Sequence, residues 1–243
     1  MKKYIAIILL QIGLALNPLG AADVYVPNLI SEGNSSGGLI GQLPTHFQQV
    51  YSASEFQGLL PAGGADLTAL CFRVDGPLGF TAFAVITNLQ VMISTTTRGP
   101  DQLSTTFASN LGSDAKIVLA PSLYPFEADG GQFNGTPNPF TGCFYFTTPF
   151  SYDPSMGNLL IDIQTFSNNR SIPPFDAVNI LGDSVSSVAS YNGNLNVGQA
   201  DTRGLLTDLF FVPVPEPSVI SLGILGATTA VLYRLRARKR EAA

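Results

Sequence analysis

The stretch Leu70-Cys71-Phe72-Arg73-Val74 gives the first indication of the fold. Its large apolar residues alternate with Cys71 and Arg73, and this period of two is typical of a β-strand with one buried face. The segment Cys143-Phe144-Tyr145-Phe146 repeats the pattern, again with a cysteine directly before a phenylalanine. Both segments therefore predict strands that turn their phenylalanine side chains towards a core.

The same alternation recurs in short bursts along the chain, at residues 89–93, 159–163, 185–191 and 205–212. Turn-forming sequences such as Asp75-Gly76-Pro77 and Asn192-Gly193 separate the bursts. No long segment between residues 23 and 213 has helical periodicity, and no fixed-period repeat is found. Many short strands joined by Gly- and Pro-rich turns predict an all-β domain over 23–213, a single antiparallel β-sandwich of jelly-roll-like topology.

One region of this domain has a different composition. Residues 99–139 are rich in Ser, Thr, Gly, Asn and Pro, and we expect long loops here around a strand at 116–119. The Val-Pro-Val-Pro sequence at 212–215 predicts a short stiff spacer behind the domain.

Charge is distributed unevenly along the chain. Between Asp23 and Pro213 there are five basic side chains against fifteen acidic ones, a net charge of −10. A nucleic-acid-binding protein needs a basic surface to displace counterions from the phosphate backbone. The composition therefore argues against a nucleic-acid partner.

The first residues have the pattern of a secretory signal peptide. Lys2 and Lys3 precede an apolar run over residues 4–16, which is shorter than the about 20 residues of a comfortable membrane span. Gly20-Ala21-Ala22 gives the small-x-small pattern that signal peptidase accepts. We predict a signal peptide over 1–22 that is cleaved after Ala22; the alternative is an uncleaved N-terminal anchor.

The last residues contain three elements in order. Pro215-Glu216-Pro217 is followed by an uncharged apolar stretch at 218–233 and by a basic tail at 234–240. The basic side chains of the tail are Arg234, Arg236, Arg238, Lys239 and Arg240. The apolar stretch is near the lower length limit of a transmembrane helix, and the positive-inside rule places the tail in the cytoplasm. With an exported N-terminus, residues 23–213 are expected outside the inner membrane.

In this order the three elements resemble the PEP-CTERM sorting signal of bacteria that make exopolysaccharide. The resemblance implies that an exosortase, a multi-pass membrane protease, recognises residues 214–240 and removes the tail. It also implies that an inner-membrane-anchored precursor is delivered to the cell surface or extracellular matrix. The alternative is an ordinary C-terminal anchor that is never cleaved. The Leu-Pro-x-Thr-Gly motif of cell-wall sortases is absent before the apolar stretch.

The middle of the chain is similar to a β-sandwich ectodomain that recurs in PEP-CTERM proteins. The similarity is carried by residues 93–97, 103–108, 150–154 and 157–160. It covers about half of the middle and implies no known activity.

Cys71 and Cys143 are the only cysteines of the chain. An exported protein meets an oxidising compartment, in which disulfides persist. Facing positions on neighbouring antiparallel strands would bring the two thiols within bonding reach. We therefore predict a Cys71–Cys143 disulfide; the alternative is two free buried thiols.

Few residues are candidates for chemistry. His46 is the only histidine, and we expect it in a loop after Leu43-Pro44-Thr45 rather than in a triad or a zinc site. No phosphate-binding or dinucleotide-binding motif occurs, and the Asp/Asn-rich residues 176–183 lack a complete calcium-loop pattern. The sequence therefore predicts no catalytic residue, no metal and no cofactor.

Two pairs of carboxylates remain, Glu127/Asp129 and Asp153/Asp162. Such pairs can hydrolyse glycosides without histidine when they lie on opposite sides of the scissile bond. Spacing along the chain does not indicate that geometry, so a glycan-active hydrolase is the third and least favoured of the functions that we consider.

The leading expectation is a non-catalytic structural or adhesive protein, with signal peptidase and an exosortase as its processing partners. The second is a glycan-binding module of the exopolysaccharide matrix. Sugar-binding platforms favour large exposed aromatic rings, and the chain has no tryptophan. The tyrosines that could serve are Tyr51, Tyr124, Tyr145, Tyr152 and Tyr191.

Overall fold

The computed structural model of the protein describes residues 22–28, 31–76, 79–131 and 137–214. Residues 1–21 of the predicted signal peptide and all residues from Pro215 onwards lie outside the described ranges. Within those ranges, no helix combines the length and the hydropathy that crossing a membrane requires.

The described residues form thirteen strands and two single-turn 3-10 helices, which confirms the predicted all-β class. The strands are β1 (Ala22–Val26), β2 (Ser35–Gly37), β3 (Thr45–Tyr51), β4 (Ala65–Arg73), β5 (Thr81–Thr96), β6 (Lys116–Asp129), β7 (Phe140–Tyr152), β8 (Asn158–Thr165), β9 (Phe175–Asn179), β10 (Val185–Ser190), β11 (Gln199–Asp201), β12 (Arg203–Leu205) and β13 (Thr207–Pro213). The 3-10 helices cover Ala53–Glu55 and Phe107–Ser109.

The strands pair in antiparallel fashion into three sheets. The first sheet has the order β1-β13-β4-β7, the second β11-β10-β3-β8-β5-β6, and the small third sheet β12-β9-β2. The chain passes between the first two sheets after β3, β4, β6 and β7. This arrangement is consistent with the predicted β-sandwich.

The core lies between the inward faces of the first two sheets. Leu70, Phe72 and Phe144 contribute to it from the first sheet and Val91 and Ile161 from the second, all fully buried, which confirms the predicted alternation. β1 pairs with β13 along its whole length, so the first and the last described strands are neighbours in one sheet. Because every described strand of this core lies within residues 22–214, we expect this segment to fold by itself.

The second sheet is covered on its outer face as well. Residues 101–112 lie over it and contribute to a second apolar cluster that includes Phe107, Leu160 and Val188. This covering segment passes so close to β5 that a Cβ added to Gly112 would lie 1.7 Å from the carbonyl oxygen of Thr95. Leu160, which the alternation assigns to the outer face, is therefore buried too.

Residues 99–139 contain more strand than predicted. The strand expected at 116–119 continues to Asp129 as β6, and it pairs with β5 from Lys116 onwards. Pro121 and Pro125 lie within it, in a region where the composition predicts loops. β6 is the edge strand of the second sheet, where proline is tolerated because one row of backbone groups needs no ladder partner.

Candidate functional site

Two sheet edges meet along β6 and β7. The Tyr124 hydroxyl donates to the carbonyl oxygen of Cys143 at 3.1 Å and accepts from the backbone N–H of Tyr145 at 3.0 Å. Further along, the Thr147 hydroxyl donates to the carbonyl oxygen of Val118 at 3.0 Å. Hydrogen bonds from side chains thus take the place of a backbone ladder between β6 and β7. We call this contact the seam, and an open groove runs along it.

This seam groove has a volume of about 660 Å³, within the range of small-molecule sites. Its lining includes Tyr124, Glu127, Asp129, Phe140, Thr141 and Tyr145. The groove therefore combines aromatic rings with carboxylates and a hydroxyl, which are the side-chain types that bind uncharged polyols.

Tyr145 forms the aromatic wall of the groove. β7 turns Phe144 into the core, so the next side chain along the strand points outwards, and 65 % of Tyr145 is exposed. Tyr124 lies half-buried beside it, and burial raises the pKa of its hydroxyl. That hydroxyl therefore stays protonated at neutral pH, and its two hydrogen bonds to β7 join the two strands at this point.

Glu127 and Asp129 form the acidic wall. They are two residues apart on β6 and so lie on the same face of the strand. Asp129 is held in place, since its carboxylate accepts from the Gly131 N–H at 2.9 Å and its own N–H donates to the Thr141 hydroxyl at 2.7 Å. Glu127 is exposed and makes no hydrogen bond with a described residue, so its carboxylate can accept from a ligand.

The predicted disulfide is confirmed and lies beside this groove. Cys71 faces Cys143 in the register of β4 and β7, their Cα atoms are 4.0 Å apart, and a disulfide joins them. Asp208 faces Cys71 from β13; its burial and the nearby charge of Asp23 raise its pKa to about 6. Because Cys143 also lines the groove, the disulfide braces the wall that carries Tyr145.

The other three tyrosines do not reach the groove. Tyr51 and Tyr152 are fully buried in the main core, and burial raises the pKa of both hydroxyls. Tyr191 is partly exposed at another cavity, where its hydroxyl donates to the Gly38 carbonyl oxygen at 2.5 Å. Of the five candidate tyrosines, two therefore meet in one groove.

The prediction of a loop position for His46 is wrong. His46 lies in β3 and is 4 % exposed, with its ring stacked on Phe107 at a centroid distance of 3.6 Å. Its Nδ1 donates to the Leu195 carbonyl oxygen at 2.7 Å, and its Nε2 lies 2.9 Å from Asp162 Oδ2. Both ring nitrogens are hydrogen-bonded inside the protein, and the buried ring is not presented to solvent.

The two carboxylate pairs have different positions. Asp162 is 1 % exposed and accepts from the Gln48 side chain at 2.6 Å, beneath the covering segment 101–112. Asp153 lies at the surface after β7, where it accepts from the Ser155 N–H at 2.9 Å. Glu127 and Asp129 share the seam groove, but on one wall of it. Neither pair flanks a cleft from opposite sides, as glycoside hydrolysis requires.

The first residue of the Asp/Asn-rich segment 176–183 forms an ion pair. Asp176, in β9, is buried and pairs with the guanidinium of Arg73 at 2.5 Å. Burial raises the pKa of Asp176, and Arg73 opposes that effect. The carboxylate oxygens of Glu32 and Asp75 lie within 4.8 Å of the Asp176 carboxylate. Arg73 thus supplies positive charge to this carboxylate cluster.

Comparison with protein-family models, with curated proteins and with solved structures found no match for this chain.

The predicted sorting residues Pro215, Glu216 and Pro217 and the basic tail at 234–240 lie outside the described residues. Ala22, predicted as the last residue of the signal peptide, is the first residue of β1 and pairs with Phe211. Cleavage after Ala22 would therefore remove one residue of this strand.

Phe140 and Thr141 belong to the groove but were not among the candidates from sequence. Both belong to β7, ahead of Cys143. Thr141, Cys143 and Tyr145 occupy alternate positions and share a strand face. The alternation of side chains around Cys143, continued two residues towards the N-terminus, predicts that Thr141 lies on the same strand face.

Proposed function

We propose that the chain is an exported, non-catalytic structural or adhesive protein of the cell surface or extracellular matrix, sorted through a C-terminal signal of the PEP-CTERM type. The observation that carries the proposal is the order of Pro215-Glu216-Pro217, the apolar stretch 218–233 and the basic tail 234–240 at the C-terminal end. The Cys71–Cys143 disulfide supports export, since disulfides persist in oxidising compartments.

The proposed organisation has three parts. Residues 1–22 are the signal peptide, 23–213 a jelly-roll-like β-sandwich ectodomain, and 214–240 the sorting signal with its transmembrane helix. β13 ends at Pro213, so a single residue separates the last core strand from the motif. Signal peptidase acts on the first part and an exosortase on the third, and the precursor is held in the inner membrane between the two steps.

The non-catalytic part of the proposal rests on the chemistry of the described residues. His46 has both ring nitrogens engaged, and Asp162 is buried against it. A structural or adhesive role needs no such group at the surface.

Replacing Pro215-Glu216-Pro217 with three alanines tests the sorting proposal in the full chain, expressed in a host that has an exosortase. We expect nearly all of the variant to persist as a larger, membrane-retained form, because the recognition element is lost while the apolar stretch and the basic tail remain. Immunoblots of membrane and extracellular fractions measure this. The Pro213→Ala variant, which removes a proline outside the motif, should mature like the parent. If the triple variant also matures and localises like the parent, the motif is not a processing signal.

The seam groove favours a second function, the binding of glycans in the exopolysaccharide matrix. An exposed tyrosine ring and a free carboxylate can hold a sugar by stacking and by hydrogen bonds to hydroxyl groups. The carboxylates of Glu127 and Asp129 favour neutral or amino sugars over uronic acids, because like charges repel in the groove. Among the described residues, no comparable observation favours a hydrolase.

Tyr145→Ala tests the glycan-binding candidate on residues 22–214. Where a glycan array detects binding by the parent domain, the variant is expected to lose roughly five- to tenfold in affinity, since a stacked ring contributes about 1–1.5 kcal/mol. Tyr191→Ala removes a partly exposed tyrosine elsewhere and serves as the control. Equal affinities of both variants and the parent for every bound sugar, measured by calorimetry, would exclude the seam groove as the site.

A further inference from the structure

The first half of β5 has an unpaired edge. β5 pairs with β6 from Thr81 to Ile93, but with β8 only from Leu89 to Thr96. The register with β6 shifts after Ile86, and Asn88 has a positive φ of 52°. This irregularity separates the strand into two halves, and residues 81–86 have no described strand on the side away from β6.

The strand itself carries none of the residues that usually protect an edge against strand pairing. Native edge strands are shielded by charged side chains, prolines or covering segments. Residues 79–97 contain no charged residue and no proline. Phe80, Phe83 and Val85 are 59 %, 74 % and 62 % exposed, an apolar cluster on one short stretch of strand. An uncharged, apolar edge of this kind favours pairing with another strand.

Residues 168–173 run alongside the edge without completing the sheet. The Asn169 side chain accepts from the Thr87 N–H at 2.7 Å and closes the inner end. Beyond that point two cavities of about 930 and 430 Å³ separate the segment from β5. Pro173 and Pro174 have no N–H to donate, so this part of the chain is a poor ladder partner.

We propose that this edge, residues Thr81–Ile86, pairs antiparallel with the same edge of a second copy of the chain. Antiparallel pairing of identical strands satisfies a two-fold axis, as closed homodimers require. With the axis at Ala84, Phe83 of each copy faces Val85 of the other. Aromatic side chains opposite β-branched ones are favourable cross-strand pairs. The inference goes beyond the proposed function and does not depend on it.

The distribution of charge limits where a second copy can dock and leaves the β5 edge as the favoured place. The domain carries a net charge of −10 between Asp23 and Pro213, so two copies repel each other over most of their surface. The uncharged β5 edge is where this repulsion is weakest. Arg170 and Glu127 line the larger cavity together, and Arg170 makes no ion pair with a described carboxylate. Across the two-fold axis, Arg170 of one copy can pair with Glu127 of the other.

Sedimentation velocity on residues 22–214 tests the proposal over a range of protein concentrations. The parent is expected to show a weak dimer, because a six-residue edge buries little surface. Val85→Lys places a charge on the edge and should weaken association about tenfold or more. Leu181→Lys makes the same type of change at a residue that is 78 % exposed outside this edge, and it should leave the dimer unchanged.

Two further measurements fix the geometry. A mixture of Phe83→Cys and Val85→Cys domains should form an intermolecular disulfide on mild oxidation, whereas Phe83→Cys alone should cross-link far less. Arg170→Glu should weaken the dimer, and the double variant Arg170→Glu/Glu127→Arg should restore it.

A parent that stays monomeric at the highest accessible concentration, or a dimer that Val85→Lys does not weaken, overturns the proposal. Circular dichroism of each variant separates loss of association from loss of folding.

Discussion

Replacing Cys71 and Cys143 together with serine is expected to lower the free energy of unfolding by about 4 kcal/mol, the loss of chain constraint for a loop of this length. The two cysteines are 72 residues apart in sequence and join the adjacent strands β4 and β7. Without the cross-link the unfolded chain gains conformational freedom, whereas the folded chain keeps the ladder between the two strands. The figure is an upper value, since denatured chains retain some structure.

Urea unfolding of residues 22–214 measures this loss through the midpoint and the slope. The parent under reducing conditions is the matched control, and it should unfold at nearly the same urea concentration as the double serine variant. The reductant should have no effect on that variant. A parent whose midpoint does not change on full reduction would show that the disulfide contributes nothing to stability.

The disulfide illustrates what alternation along a strand can predict. Cys71 and Cys143 each precede a phenylalanine that faces the core, so the pattern predicts that each thiol lies on the outer face of its strand. That the two strands are neighbours is not specified by periodicity and comes from the pairing of β4 with β7 in the structure. The buried positions Leu70, Phe72 and Ile161 were predictable from the same alternation.

The position of His46 could not be predicted in this way. Alternation assigns a side chain to one face of a strand, but it does not say whether a distant segment covers that face. Residues 101–112 are mostly polar, and yet they cover the outer face of the second sheet. Besides apolar contacts, hydrogen bonds between Gln48 of the sheet and Phe107 and Asn110 of the segment attach it. Burial of His46 therefore depends on a long-range contact for which the sequence has no periodic signal.

The seam groove was predictable in part of its residues but not as a site. Tyr124, Tyr145, Glu127 and Asp129 were all candidates, each for its own chemistry. That they meet depends on β6 and β7 being edges of different sheets. Strand order is set by long-range pairing, which local patterns do not specify. The prolines of β6 also concealed how far that strand extends.

The His46–Asp162 pair leads to the second large expected effect. Asp162→Ala should lower the free energy of unfolding by about 3–5 kcal/mol, the usual loss when one member of a buried polar pair is removed. Asp162 accepts from Gln48 at 2.6 Å and from Gln164 at 3.0 Å, besides facing His46. Its removal leaves these buried donors without their acceptor. Glu127→Ala removes an exposed carboxylate and should change stability by no more than about 0.5 kcal/mol.

The loss should begin in the covering segment, because the cluster around Asp162 is hydrogen-bonded to that segment through Gln48. Gln48 donates to the carbonyl oxygen of Phe107 at 3.2 Å and accepts from Asn110 at 2.9 Å. Hydrogen exchange of Asp162→Ala should therefore show reduced protection at residues 101–112 before the core strands are affected. A double-mutant cycle with His46→Ala should give a coupling energy of about 1–3 kcal/mol. Additive single effects, or unchanged protection of the covering segment, would show that the pair is incidental and that apolar contacts around Phe107 suffice to hold this layer in place.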